Sequence, residues 1–133
     1  MNTSMTITGR IGQEPTLAFS QSGMAYLRLS VATEKSKKVK GEWENETIWL
    51  DVTVFGELAE HSAETLSKGD LVIAHGQIEA PRAYEKKDGT TGASLGFLAD
   101  ELGASLRFKS YTGMAEGPRA KIQPVKDHSE EPF

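Results

Sequence analysis

The stretch TIWLDVTVFGELAEHSAETLSKGDLVIAHGQIE, residues 47–79, changes its period twice, and that decides the fold. From 47 to 56 the period is two: Ile48, Leu50, Val52 and Val54 fall on one side, Trp49, Asp51, Thr53 and Phe55 on the other. Such alternation marks a half-buried strand, with the aliphatic side as its core face. From Glu57 the apolar residues Leu58, Ala59, Ala63 and Leu66 gather on one helical face instead. Glu57 and Glu60 in the first turn and Lys68 near the end suit the helix dipole, and Gly69 marks the stop. The spacing predicts a short helix of about three turns. LVIAHGQIE then resumes as a strand, with Gly76 a predicted bulge or tight bend.

Outward from this switch the chain reads as strands. MTITGRI (5–11) is short and interrupted by Gly9; QEP marks a turn, and TLAFSQ (16–21) is a second short extended piece before Ser22-Gly23. AYLRLSVAT (25–33) sends Leu27, Leu29 and Val31 one way and Tyr26, Arg28 and Ser30 the other. EKSKKVKGEWENE (34–46) is polar and charged, and is predicted to be a long hairpin tip. YEKKDGTTG (84–92) is a second charged tip whose Asp88-Gly89 is a turn signal. ASLGFLADELGASLRF (93–108) is the last extended segment. The order is strand, strand, strand, short helix, strand, strand. It predicts an all-β chain with one helix, an OB-fold: a five-stranded Greek-key barrel with the helix between strands 3 and 4. An SH3-like barrel or a small sandwich would be the competitors, but neither accounts so naturally for the helix.

Residues 1–109 form the predicted barrel domain. Residues 110–133 have no sustained period, hold three of the five prolines and offer few large apolar groups, so a flexible tail is expected. No run approaches the roughly 18 apolar residues of a membrane helix, no secretory signal is visible, and there is no cysteine. A cytoplasmic protein with no membrane partner is the expectation, whether nucleoid-associated or, if phage-encoded, in the host cytoplasm. The net charge of -4 argues against a nucleic-acid partner at first sight. However, residues 126–133 hold one base against three acids, and the other 125 residues carry 14 bases and 16 acids. The body is close to neutral, so the placement of its bases decides.

Trp49 and Phe55 share the polar face of their strand at about 20 Å separation. Trp43 has the same parity and the same six-residue step. Flat rings on the outer wall of a barrel can stack on unpaired bases, each stack contributing on the order of 1–3 kcal/mol whatever the base. The plainer reading is packing against a loop, the tail or another subunit. The bases weigh toward nucleic acid. Lys35, Lys37, Lys38 and Lys40 lie on the first tip, Arg82, Lys86 and Lys87 on the second beside Tyr84, and Arg28 is on the polar face of its strand. A phosphate backbone between two basic tips, its bases on the aromatic face, is the arrangement single-strand binding uses. Glu42, Glu44, Glu46 and Glu85 nearby fit solvated hairpins equally.

Catalytic and metal-binding patterns are missing. There is no Gly-rich phosphate loop, no zinc-spaced His-Glu pair and no nucleophile elbow. His61, His75 and His128 have no partner pattern, and adjacent Asp100-Glu101 read as solvated acids. No cofactor, metal or catalytic residue is predicted.

GRIGQEP, LRLSVATEK, GEWENETIWLDVTVFGELAE, LSKGDLVIAHGQIE and the end SEEPF together resemble the bacterial and phage single-stranded DNA-binding protein family. The likeness spans residues 5–108 plus the last few, and DELGASLRF is most similar to the actinobacterial branch or phages of those hosts. It implies a homotetramer that wraps single-stranded DNA without sequence preference, with stacking roles for Trp49 and Phe55. Tyr84 matches the aromatic of the second hairpin, with one extra residue around EAPRAY. A further tryptophan of some members is Lys37 here, so that contact is absent or taken over by Trp43. The end implies docking of replication, recombination and repair proteins. Pro132 and Phe133 would enter an apolar pocket while Asp127, Glu130 and Glu131 steer the approach. Rival readings are an RNA-binding or primosome-accessory OB module and a protein-interaction or enzymatic domain.

Overall fold

A computed structural model describes residues 1–111. The alternating stretch lies in β4 (Glu42–Phe55), which pairs antiparallel with β3 (Ala25–Val39) from Val39↔Glu42 to Tyr26↔Phe55 without a break in register. The predicted charged tip is therefore not a loop. Both strands run through it, and a two-residue turn, Lys40 and Gly41 at φ 52° and 83°, joins them. Two successive left-handed residues make the turn whose twist matches a right-handed hairpin. Opposite charges facing each other across the ladder, Lys37↔Glu44 and Lys35↔Glu46, favour pairing over a loop. Lys37 Nζ also reaches Glu46 Oε2 at 3.6 Å.

The remaining elements close this hairpin into a barrel. They are β1 (Ser4–Ile11), β2 (Thr16–Phe19), α1 (Glu57–Thr65), β5 (Leu71–Ile78), β6 (Arg82–Glu85), β7 (Thr91–Ser94) and β8 (Gly96–Ala104). The main sheet runs β1-β5-β8-β4-β3-β2, and β1 pairs again with β3 at Arg10↔Ala32 and Ile11↔Val31. The second pairing shuts the ring. Strands β1, β3, β4, β8 and β5 form the predicted five-stranded OB barrel, β2 is an edge addition to β3, and β6–β7 is a separate hairpin. Inward residues of alternating parity fill the core: Leu27, Leu29, Val31, Leu50, Val52, Val54, Val72 and Phe97 among them. Ile48, expected in this set, is 38% exposed. It lies beyond Leu50 and Val31, the last buried pair, where the ribbon leaves the barrel.

The helix is shorter than predicted. It ends at Thr65 because Leu66 turns extended, φ -93° and ψ 146°, and buries in the core. Lys68 and Gly69 fall in the loop beyond, where Ser67 N–H donates to Asp70 Oδ2 at 2.9 Å and Gly69 N–H to Ile11 O at 2.7 Å. The Gly76 bulge is as expected: the register slips between His75↔Glu101 and Gly76↔Ala99, leaving Asp100 unpaired on β8. A Cβ at Gly76 would fall on Leu98 O. Among the described residues no helix is long and apolar enough to cross a membrane.

Packing continues past residue 109. The buried Asp70 carboxylate takes Lys109 Nζ at 3.1 Å, and Lys109 lies 5.1 Å from the Tyr111 ring centroid. Burial alone would raise the Asp70 pKa. The Ser67 N–H and then Lys109 outweigh it and hold the carboxyl below its ordinary value. Burial, then Asp70, pushes the Tyr111 phenol up. The tail and its candidate residues Asp127, Glu130, Glu131, Pro132 and Phe133 lie outside the described residues.

Candidate nucleic-acid interface

Unbroken register fixes the faces of the β3–β4 ribbon. Odd residues of β4 and even residues of β3 point outward, so Trp43, Trp49 and Phe55 share one face with Lys38, Arg28 and Tyr26. The rings are open to solvent: 73% for Trp43, 55% for Trp49 and 48% for Phe55. Trp49 rests on the β1–β2 loop, since a Cβ at Gly12 would come within 2.5 Å of its Cζ3. Phe55 and Tyr26 stand opposite each other, centroids 6.5 Å apart and planes tilted by 46°. Tyr26 was not among the candidates. Its outward parity was legible, but its pairing to Phe55 depended on the turn that sets register.

Between the ribbon and the second hairpin lies a cleft of about 570 Å³ lined by Tyr26, Phe55, Arg28, Thr53, Arg82 and Leu98, among others. Arg28 and Arg82 thus flank one groove although 54 positions separate them in the chain. Asp51 sits on the same wall, its Oδ2 taking Ser94 Oγ–H at 2.5 Å, which ties β7 to β4. In the second hairpin Tyr84 pairs with Gly92 and lies over it, half exposed. Lys86 and Lys87 are exposed in the connecting turn. There Asp88 Oδ1 accepts from Thr90 Oγ1 at 2.6 Å and Thr90 N at 3.0 Å, bonds that lower its pKa.

The first tip does not present its lysines as one cluster. Lys38 pairs with Trp43 on the aromatic face. Lys35 and Lys37 have the opposite parity and stand across from Glu46 and Glu44. Lys40 is in the turn itself. The structure brings together Trp43, Trp49, Phe55, Lys38 and Arg28 on one ribbon face, with Arg82 across the cleft, and sets Lys35 and Lys37 behind it.

A closed barrel with outward rings and cations, Arg28 and Lys38, along one hairpin defines an OB-fold binding module. The model of the single-strand binding protein family matches residues 2–105, and the chain belongs to that family. It is 35% identical over 109 residues to a single-stranded DNA-binding protein of Paenarthrobacter aurescens, covering 80% of this chain and 63% of that one. The counterpart in Corynebacterium glutamicum is 37% identical over 110 residues, 80% of this chain and 48% of that one. The chain therefore spans less than two thirds of these relatives' length. Among solved structures, a small single-stranded DNA-binding protein from Streptomyces coelicolor superposes with a TM-score of 0.67 at 20% identity, over 79% of this chain and 95% of that one. A deletion mutant of the single-stranded DNA binding protein from Thermus aquaticus gives 0.63 at 22%, over 79% and 50%. At those identities the likeness is one of fold.

Proposed function

We propose that this protein binds single-stranded DNA without sequence preference, coating exposed strands in replication, recombination and repair, and that it is not an enzyme. The observation that carries the reading is the half-exposed pair Trp49 and Phe55 on one face, with Arg28, Lys38 and Arg82 beside them. Bases stack on the rings while phosphates run along the cations. Nothing in this mode reads base edges, so composition should matter little.

Two further parts belong to the proposal. Copies of the chain assemble into a homotetramer. The edge of β1 over residues 4–9 supports this, since among the described residues that segment pairs only with β5, and Ile73 is 44% exposed on the outer face alongside. Partner proteins dock on Pro132 and Phe133, with Asp127, Glu130 and Glu131 steering them. The same acids compete with DNA for the basic groups, so removing residues 126–133 tightens DNA binding at low salt; an unchanged affinity would discard that competition.

The deciding experiment is a titration of tryptophan fluorescence with oligo-dT at two salt concentrations. Quenching, and an affinity that falls steeply with salt, is expected. An indole signal that ignores DNA would end the proposal. Competition with single-stranded RNA of equal length separates DNA from RNA preference.

A further inference from the structure

We propose that Phe108, with Arg10 and Arg107 beside it, is an additional stacking platform that extends the single-stranded DNA path past Trp49 across β1; this rests on the binding mode above. The two guanidinium carbons lie 5.7 Å and 5.4 Å from the Phe108 ring centroid. The ring is nonetheless 68% exposed, so a large apolar surface is presented to water beside two cations. Arg10 is itself anchored, donating from Nη1 to Gly69 O at 3.0 Å. The backbone next to the ring is anchored as well, through Lys109 on the buried Asp70.

Continuity with the aromatic face comes from strand register. Arg10 pairs with Ala32, and Ala32 pairs with Trp49, so the three stand in one outward row across β1, β3 and β4. Two strand spacings separate Arg10 from Trp49, about 10 Å. The Trp49 indole leans the same way, with its outer edge on Gly12, two positions after Arg10. A strand leaving Trp49 toward β1 would meet two guanidiniums suited to phosphate and a ring suited to a base. The same guanidiniums draw the phosphates of a negatively charged strand to the edge of the ring. The chemistry suits an unpaired polynucleotide, which brings an anionic backbone and flat bases together. The ring's flanks are cationic, while Asp70 close by is buried and already paired to Lys109.

The test uses the full chain and two lengths of oligo-dT, one that covers only the Trp49–Phe55 segment and one several nucleotides longer. Phe108→Ala should weaken the longer oligomer about five- to tenfold and leave the short one unchanged. Arg107→Ala should reduce the salt slope for the longer oligomer by about 0.7, the value for one single-strand phosphate contact. Phe108→Trp should keep the affinity and add an indole that long but not short oligo-dT quenches. An affinity of Phe108→Ala for the longer oligomer equal to that of the unaltered chain, with no length-dependent quenching in Phe108→Trp, overturns the proposal. So does a change in the mass of the assembly without a change in affinity, which would assign the ring to contact between copies. If the unaltered chain binds neither oligomer, the underlying reading fails instead.

Discussion

Trp49 lies against Gly12, with Cζ3 and Cη2 at 2.5 Å and 2.8 Å from where a Cβ would stand. The glycine is a seat for the ring rather than a turn residue, and its N–H already serves Ser30 O at 2.8 Å. Gly12→Val should push the half-exposed indole off its seat without opening the barrel. The expected outcome is a several-fold weaker affinity for oligo-dT with a melting temperature close to that of the unaltered protein. A titration and a thermal melt on the same sample check it; a large drop in melting temperature would mean that the loop, not the ring, had moved.

Parity separates the lysines of the first hairpin. Lys38 shares the face of Trp43, while Lys35 and Lys37 stand behind it against Glu46 and Glu44. Lys38→Ala should therefore shrink the slope of log affinity against log salt by about 0.7. Lys35→Ala and Lys37→Ala should leave it nearly as it was. Equal losses from all three would show DNA wrapping both sides of the ribbon.

Asp70 makes stability depend on acid. Its folded pKa is lowered from 3.8, the Ser67 N–H and Lys109 overcoming burial. A depressed carboxyl contributes stability that is complete above the unfolded value and is lost as pH falls through the folded one. Asp70→Asn should thus cost about 1.5–3 kcal/mol near neutral pH, the range for a hydrogen bond to a charged group. The two proteins should converge as pH falls below 3.8 and on through the lowered folded value. Denaturant melts across that window give the comparison. A gap that persists undiminished into strong acid would assign the loss to packing.

How much of this was readable in advance follows from the range of the forces involved. The parity of Trp49 and Phe55 was legible because a period of two is local. The length of the β3–β4 ribbon was not. In residues 35–46 the charges are segregated, lysines over 35–40 and glutamates over 42–46, and only register shows that Lys35 faces Glu46. The helix end was missed because the tertiary pull on Leu66 outweighs the dipole and glycine signals further on. Closure at Arg10↔Ala32 is non-local. With it went any view of Phe108, which in sequence is merely the last residue of a strand-like segment.

Phe55 and Tyr26 offer the sharpest measure of the aromatic face, because they touch each other as well as the proposed ligand. Their centroids are 6.5 Å apart in a tilted pair, a geometry contributing about 0.5–1.5 kcal/mol beyond buried area. Phe55→Ala removes one stacking surface and frees Tyr26 at once. Tyr26→Ala removes the support and leaves Phe55 free to turn. The two losses in oligo-dT affinity should then overlap, and the double variant should bind better than the sum of the single effects allows. A coupling of about 0.5–1.5 kcal/mol is expected from the cycle. Strict additivity would mean that Tyr26 neither orients Phe55 nor shares its base, and the outward ring would act alone.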